Sequence, residues 1–170
     1  MAVICYRQEG KQVLIMPELP EVETIIRHLN QELTAVTIKK VVIRDKRLIK
    51  GIGSADFIDQ IQGKRINRFF RRGKVLIAEL SGGLFLIMHL RISGWIVAAD
   101  HMLPQARVVF QASRKKYLNF CDQRVLGEIR LTSSWQDIPL IKNMGPEPFD
   151  LKANEFCSLG RQKKSKIKPL

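Results

Sequence analysis

Between Thr37 and Leu131 the chain is cut into short runs of four to eight residues, rich in apolar and β-branched side chains and separated by tight turns. Such runs are the length of strands. Strands are expected over Thr37–Arg44, Arg65–Phe70, Val75–Leu80, Leu84–Leu90, Trp95–Ala98, Arg107–Gln111, Tyr117–Phe120 and Glu128–Leu131. Ser81-Gly82-Gly83 reads as a hairpin turn between two of them. Two segments break the pattern. From Pro20 to about Leu33, Val22, Ile25, Ile26, Leu29 and Leu33 recur at helical spacing, and Ser54–Gln62 reads as a short helix stopped by Gly63. The fold class is therefore α+β, mainly β: a two-layered β-sandwich flanked by helices, led by an N-terminal amphipathic helix.

Lys and Arg number 29 against 16 acidic residues, a net charge of +13 in 170 residues. A surplus of that size favours polyanions such as DNA. The cations cluster. Arg65, Arg68, Arg71, Arg72 and Lys74 share one strand and its turn, and Lys163, Lys164, Lys166 and Lys168 crowd the C-terminus. The first group suits a phosphate backbone, with a solvated strand face as the alternative; the second reads equally as a basic tail. No apolar run approaches the ~20 residues of a membrane span. Residues 1–15 make a poor signal peptide, so a cytoplasmic protein is expected. Three cysteines, Cys5, Cys121 and Cys157, are too dispersed for a zinc knuckle and odd in number for a disulfide framework. Reduced structural thiols are expected, and no metal.

The run MPELPEVET (Met16–Thr24) places a proline behind a methionine that could start translation. A proline exposed at an N-terminus carries a secondary amine titrating near ~8, partly neutral and nucleophilic at physiological pH. Such amines attack electrophilic carbon and form Schiff bases. Glu18, alongside, could shuttle protons. While residues 1–16 precede it, the Pro17 nitrogen is a tertiary amide and no nucleophile. Pro20 also suits a first helical turn, and Glu21 and Glu23 suit its positive end.

Six motifs follow one another along the chain: MPELPEVET, RRGK (Arg71–Lys74), HLRISG (His89–Gly94), DQRVLG (Asp122–Gly127), MGPEPF (Met144–Phe149) and KSKIKP (Lys164–Pro169). In content and order they resemble the formamidopyrimidine-DNA glycosylase and endonuclease VIII family, and its formamidopyrimidine branch in particular, which repairs oxidised bases in DNA. The family's N-terminal domain is a β-sandwich flanked by helices, in agreement with the strand pattern.

The resemblance implies roles for single residues. Pro17 would be the nucleophile, Glu18 and Lys74 would assist as proton carriers, and Glu21 would support them. Arginine crowding around Lys74 is expected to make its amine a readier proton donor; an ordinary turn lysine is the other reading. His89 would lie near DNA phosphate, although a lone histidine ending an apolar strand is more often structural. Arg91, Ile92 and Ser93 occupy the loop where relatives place a methionine that fills the gap left by an extruded nucleotide; Ile92 stands there here. Arg124 matches the arginine that pairs with the orphaned base, and Leu126 replaces a more usual phenylalanine, keeping apolar bulk but losing aromatic stacking. A capped turn, with Asp122 capping and Gly127 closing it, describes the same loop without DNA. Arg71, Arg72 and Lys168 would contact DNA.

The implied partner is damaged double-stranded DNA, met by a monomer in a bacterial, nucleoid-associated setting. No cofactor is expected in this chain; full-length relatives carry a structural zinc in a C-terminal part that this sequence lacks. The domain reading is an N-terminal extension over 1–15, with Met16 as a candidate true start, a sandwich over 16–150, and a basic linker over 151–170. The implied function is a base-excision-repair glycosylase with AP lyase activity toward oxidised purines (8-oxoguanine, formamidopyrimidine), in a chain that looks truncated. A non-catalytic DNA-binding remnant is the alternative.

Overall fold

The computed structural model describes residues 7–8, 11–12, 17–147 and 150–161. Short strands β1 (Arg7–Gln8) and β2 (Lys11–Gln12) pair antiparallel, ahead of helix α1 (Leu19–Leu33). Then come β3 (Ile38–Ile43), α2 (Ser54–Ile61), β4 (Ile66–Arg72), β5 (Val75–Leu80), β6 (Leu84–His89), β7 (Gly94–Ala99), β8 (Ala106–Ala112), β9 (Tyr117–Asp122), β10 (Glu128–Thr132), α3 (Pro139–Lys142) and α4 (Ala153–Arg161). Two four-stranded antiparallel sheets form, ordered β10-β6-β5-β4 and β3-β8-β9-β7. Every strand and both helices expected between Pro20 and Leu131 are present, their ends shifted by no more than two residues.

The core follows from side-chain period. α1 turns Val22, Ile26, Leu29 and Leu33 inward, where they meet Leu76, Ala78, Leu86 and Met88 of one sheet and Val108, Phe110, Leu118 and Phe120 of the other. β5 is apolar at nearly every position because its sheet is covered on both faces. Leu76, Ala78 and Leu80 enter the main core; Val75 and Ile77, pointing the other way, pack with Ile87 and Ile141 under Phe70, Trp135, Ile138 and Met144. The segment after β10 is thus a lid on the outer face of this sheet. Arg71 and Arg72, expected to lie in a turn, continue β4 and pair with Leu76 and Val75.

β4 is an edge strand, and α1 caps it. The Asn30 amide donates to the Phe69 carbonyl at 2.9 Å and its oxygen accepts the Phe69 N–H at 2.7 Å, satisfying backbone groups that an open edge would expose. This clamp fixes the strand leading to Lys74 against the helix that begins beside Pro17.

Pro148 and Phe149 of the fifth motif, Met16, and the basic C-terminal cluster with Lys168 lie outside the described residues. Part of the segment read as a basic linker, Ala153–Arg161, is helical. No helix among the described residues is long and apolar enough to cross a membrane.

Candidate functional site

Four separate segments converge on one cavity of about 440 Å3, lined by Pro17, Val22, Lys74, His89, Leu90, Arg91, Ile92 and Leu126. Pro17 and Val22 come from the start of α1, Lys74 from the β4–β5 turn, and His89 to Ile92 from the end of β6 and the loop beyond. Leu126 arrives on the β9–β10 loop. Residues spaced over 110 positions meet here because both sheets direct these turns to the same end of the molecule. Of the residues singled out from the sequence, Pro17, Lys74, His89, Arg91, Ile92 and Leu126 line the cavity. Glu18 and Glu21 are not among its lining; Glu18 joins it through its contact with Lys74.

Glu18 precedes the first turn of α1 in extended conformation, and its N–H donates to Glu21 Oε2 at 3.1 Å. Glu21 thereby satisfies a backbone donor at the helix start. The Lys74 ammonium donates to Glu18 Oε1 and Oε2 at 3.1 and 3.2 Å. A carboxylate and an amine are therefore in contact, the carboxylate on the residue that follows Pro17, a pairing able to pass a proton.

The arginines that precede Lys74 are engaged by carboxylates. Arg71 donates to Glu147 Oε2 at 2.8 Å and to Glu23 Oε2 at 2.9 Å. Arg72 donates to Glu147 Oε1 at 2.8 Å and to the Gly145 carbonyl. The Gly73 N–H closes the set, donating to Glu147 Oε1 at 2.6 Å. Burial would raise the Glu147 carboxyl, but the Gly73 N–H and the two guanidiniums outweigh it and hold it at about 2. Arg71 and Arg72, read as DNA contacts, are only 18% and 21% exposed and are spent on this carboxylate. Gly73 has φ +54, and a Cβ there would lie 3.2 Å from the Met144 sulfur, so the RRGK motif interlocks with Met144, Gly145 and Glu147.

His89 is half-buried and its Nδ1 has no hydrogen-bond partner. Burial, with Arg91 nearby, lowers its pKa to about 4. The ring is neutral at physiological pH and can donate to phosphate but adds no charge. Ile92 and Leu126 stand out 42% and 43% exposed beside the same cavity. Arg124 is exposed on the same loop.

Glu147, Asp122 and Glu128 organise the site, and the sequence reading assigned none of them to it. Asp122 was read as a turn cap, and it is one: its carboxylate accepts the Arg124 N–H at 3.2 Å and the Gly127 N–H at 2.6 Å. Glu147 was visible only as a letter in a motif. Among the described residues no group of three His, Cys, Asp or Glu side chains is placed to hold a metal ion.

Two antiparallel sheets, a helix-capped edge and a cavity with apolar prongs on a basic chain define a mainly-β domain with a cleft at one end. Residues 16–129 match the family model described as formamidopyrimidine-DNA glycosylase N-terminal domain, and the chain belongs to that family. It is 37% identical over 163 residues to the formamidopyrimidine-DNA glycosylase of Desulforamulus reducens, covering 91% of this chain and 59% of that protein. The corresponding protein of Pelotomaculum thermopropionicum gives 37% over 162 residues, with the same coverage. Among solved structures, Lactococcus lactis formamidopyrimidine-DNA glycosylase bound non-covalently to DNA containing an AP site superposes with a TM-score of 0.74. That match has 31% identity over 86% of this chain and 56% of that one. The Thermus thermophilus protein gives 0.66 at 33% identity, over 78% and 47%. The chain thus spans about three-fifths of the length of these curated relatives.

Proposed function

We propose that this domain supplies the catalytic end of a base-excision DNA glycosylase with AP lyase activity, acting on oxidised purines in duplex DNA. The observation that carries the reading is the convergence of Pro17, the Glu18–Lys74 pair and the exposed Ile92 and Leu126 on one cavity. A base in a duplex must be extruded before its glycosidic bond can be attacked, and damaged bases resist least. Ile92 and Leu126 would fill the vacated stack while Arg124 donates to the orphaned base.

With its amine free, Pro17 nitrogen attacks C1′ of the extruded sugar and the base departs. The ring oxygen, protonated from the Glu18–Lys74 pair, opens to leave an iminium ion. The iminium acidifies the C2′ proton; its removal expels the 3′ phosphate and cuts the strand. His89, neutral, would donate to a neighbouring phosphate. These steps call for no cofactor in this domain. The family context favours a monomer in the bacterial cytoplasm.

A second reading has its own support. As long as residue 16 remains joined to Pro17, that nitrogen is an amide and the domain binds DNA without chemistry. Borohydride trapping separates the two. The chain beginning at Pro17 is incubated with a duplex carrying an abasic site opposite cytosine. A covalent adduct that disappears when the leader is present, or when an acetylated glycine stands at position 17, supports the enzyme. Measurable DNA binding without any adduct supports the binding domain and overturns imine chemistry here.

A further inference from the structure

The two loops that carry the exposed apolar prongs share their supports. Ser93 Oγ, in the Ile92 loop, donates to Asp122 Oδ1 at 2.5 Å. The same carboxylate accepts both backbone donors that shape the Leu126 loop, from Arg124 and Gly127. Asp122 is 1% exposed, so the acceptor of all three bonds is buried, where a lost partner is costly. A second tie runs in parallel. Arg91 donates to Glu128 Oε1 at 2.8 Å, and Glu128, 8% exposed, also accepts from Arg130 at 3.0 Å.

Both loops need such restraint. Each holds a non-glycine residue in the left-handed region immediately before its prong: Arg91 at φ +56 before Ile92, and Val125 at φ +55 before Leu126. For a β-branched residue that conformation is strained and persists only where surrounding contacts over-determine it. The backbones are packed against each other as well. A Cβ at Gly127 would lie 3.0 Å from the His89 carbonyl and 3.0 Å from the Asp122 carboxylate, and one at Gly94 would strike the Leu90 carbonyl.

We propose that Asp122 and Glu128 are positioning residues that brace the Ile92 and Leu126 loops into a single rigid wedge, so that both prongs enter a duplex together. This role in DNA rests on the function proposed above; the bracing itself does not. Asp122 bonds to both loops, and Glu128, the β10 residue where the Leu126 loop ends, holds Arg91 of the other. The loops therefore open as one unit, because neither can leave without stranding a buried carboxylate that the other side also positions.

Amide hydrogen exchange on the 170-residue chain tests the brace without DNA. Ser93→Ala, which removes one hydroxyl and leaves the Leu126 loop chemically untouched, is expected to make exchange at 123–127 about fivefold faster. Ser93→Thr, which keeps the hydroxyl, restores the native rate. Glu128→Gln accelerates exchange at 91–93. An effect of Ser93→Ala confined to its own loop overturns the proposal. The functional arm measures affinity for a duplex with a reduced abasic site, against undamaged duplex, across an Ile92→Ala and Leu126→Ala double-mutant cycle. The native chain is expected to show coupling of about fivefold, falling to additivity in Ser93→Ala/Glu128→Gln. Additivity in the native chain overturns the shared wedge. Equal affinity of the native chain for both duplexes overturns the DNA reading, while the exchange rates still decide the brace.

Discussion

The Lys74 ammonium lies 3.1 and 3.2 Å from the two carboxylate oxygens of Glu18, joining a hairpin tip to the residue that follows Pro17. The pair is well exposed, 40% and 56% at the two side chains, so it contributes little to stability. Under the proposed function its use lies in moving a proton. In the chain beginning at Pro17, Glu18→Gln is expected to slow borohydride-trapped adduct formation by ~100-fold or more. Thermal melting should place the variant within about 0.5 kcal/mol of the parent. A large loss of stability with little change in trapping would refute this division of roles.

Glu147 should behave in the opposite manner. It accepts from Arg71, Arg72 and the Gly73 N–H, and its removal takes one carboxylate partner from each of two largely buried guanidiniums, leaving Arg71 on Glu23 and Arg72 on the Gly145 carbonyl. Urea denaturation at pH 7 should show Glu147→Ala destabilised by about 2–3 kcal/mol. Its carboxyl is held at about 2 in the folded state against ~4.3 unfolded. The folded state therefore binds fewer protons in that interval. The stabilisation is complete above ~4.3 and is lost as pH falls toward 2; the variant's acid limb should lack this component.

His89 titrates with the opposite chemistry but the same sign. Burial lowers it to about 4 from ~6.5 in an unfolded chain, so the unfolded state binds the extra proton between those values. Stability should fall as pH drops from 6.5 to 4, by at most about 3 kcal/mol, and this component should change no further below 4. In His89→Gln the slope between pH 6.5 and 4 should flatten. An unchanged slope in denaturation series at stepped pH would show that other groups carry it.

Two glycines should differ sharply in what they tolerate. At Gly94 a methyl group would strike the Leu90 carbonyl, a backbone atom that cannot swing away. Gly94→Ala is expected to cost about 1–3 kcal/mol. Gly145→Ala, where nothing lies within 4 Å of the added carbon, should change stability by no more than about 0.5 kcal/mol. Denaturant midpoints of the two variants, measured side by side, check the contrast.

The strand ladder and both leading helices were readable in the sequence because their signals are local. Val22, Ile26, Leu29 and Leu33 mark one helical face within a single segment, and the Gly and Ser clusters between Arg65 and Gly127 mark turns whatever the strands pair with. Motif order identified the residues around the cavity, since Pro17, Lys74, His89, Ile92 and Leu126 each sit in a distinctive run. Tertiary structure alone decided where the charges go. Arg71 and Arg72 resemble phosphate ligands in a string of arginines, yet their partner is Glu147, about 75 positions away, and no periodicity announces a carboxylate arriving from a lid over the sheet. Asp122 is a turn cap to any local reading. That it also receives Ser93, 29 positions earlier, follows only from the β7–β9 pairing of Gly94 with Asp122. Backbone preference is encoded residue by residue; which buried acceptor meets which donor depends on how the two sheets bring distant turns to one end.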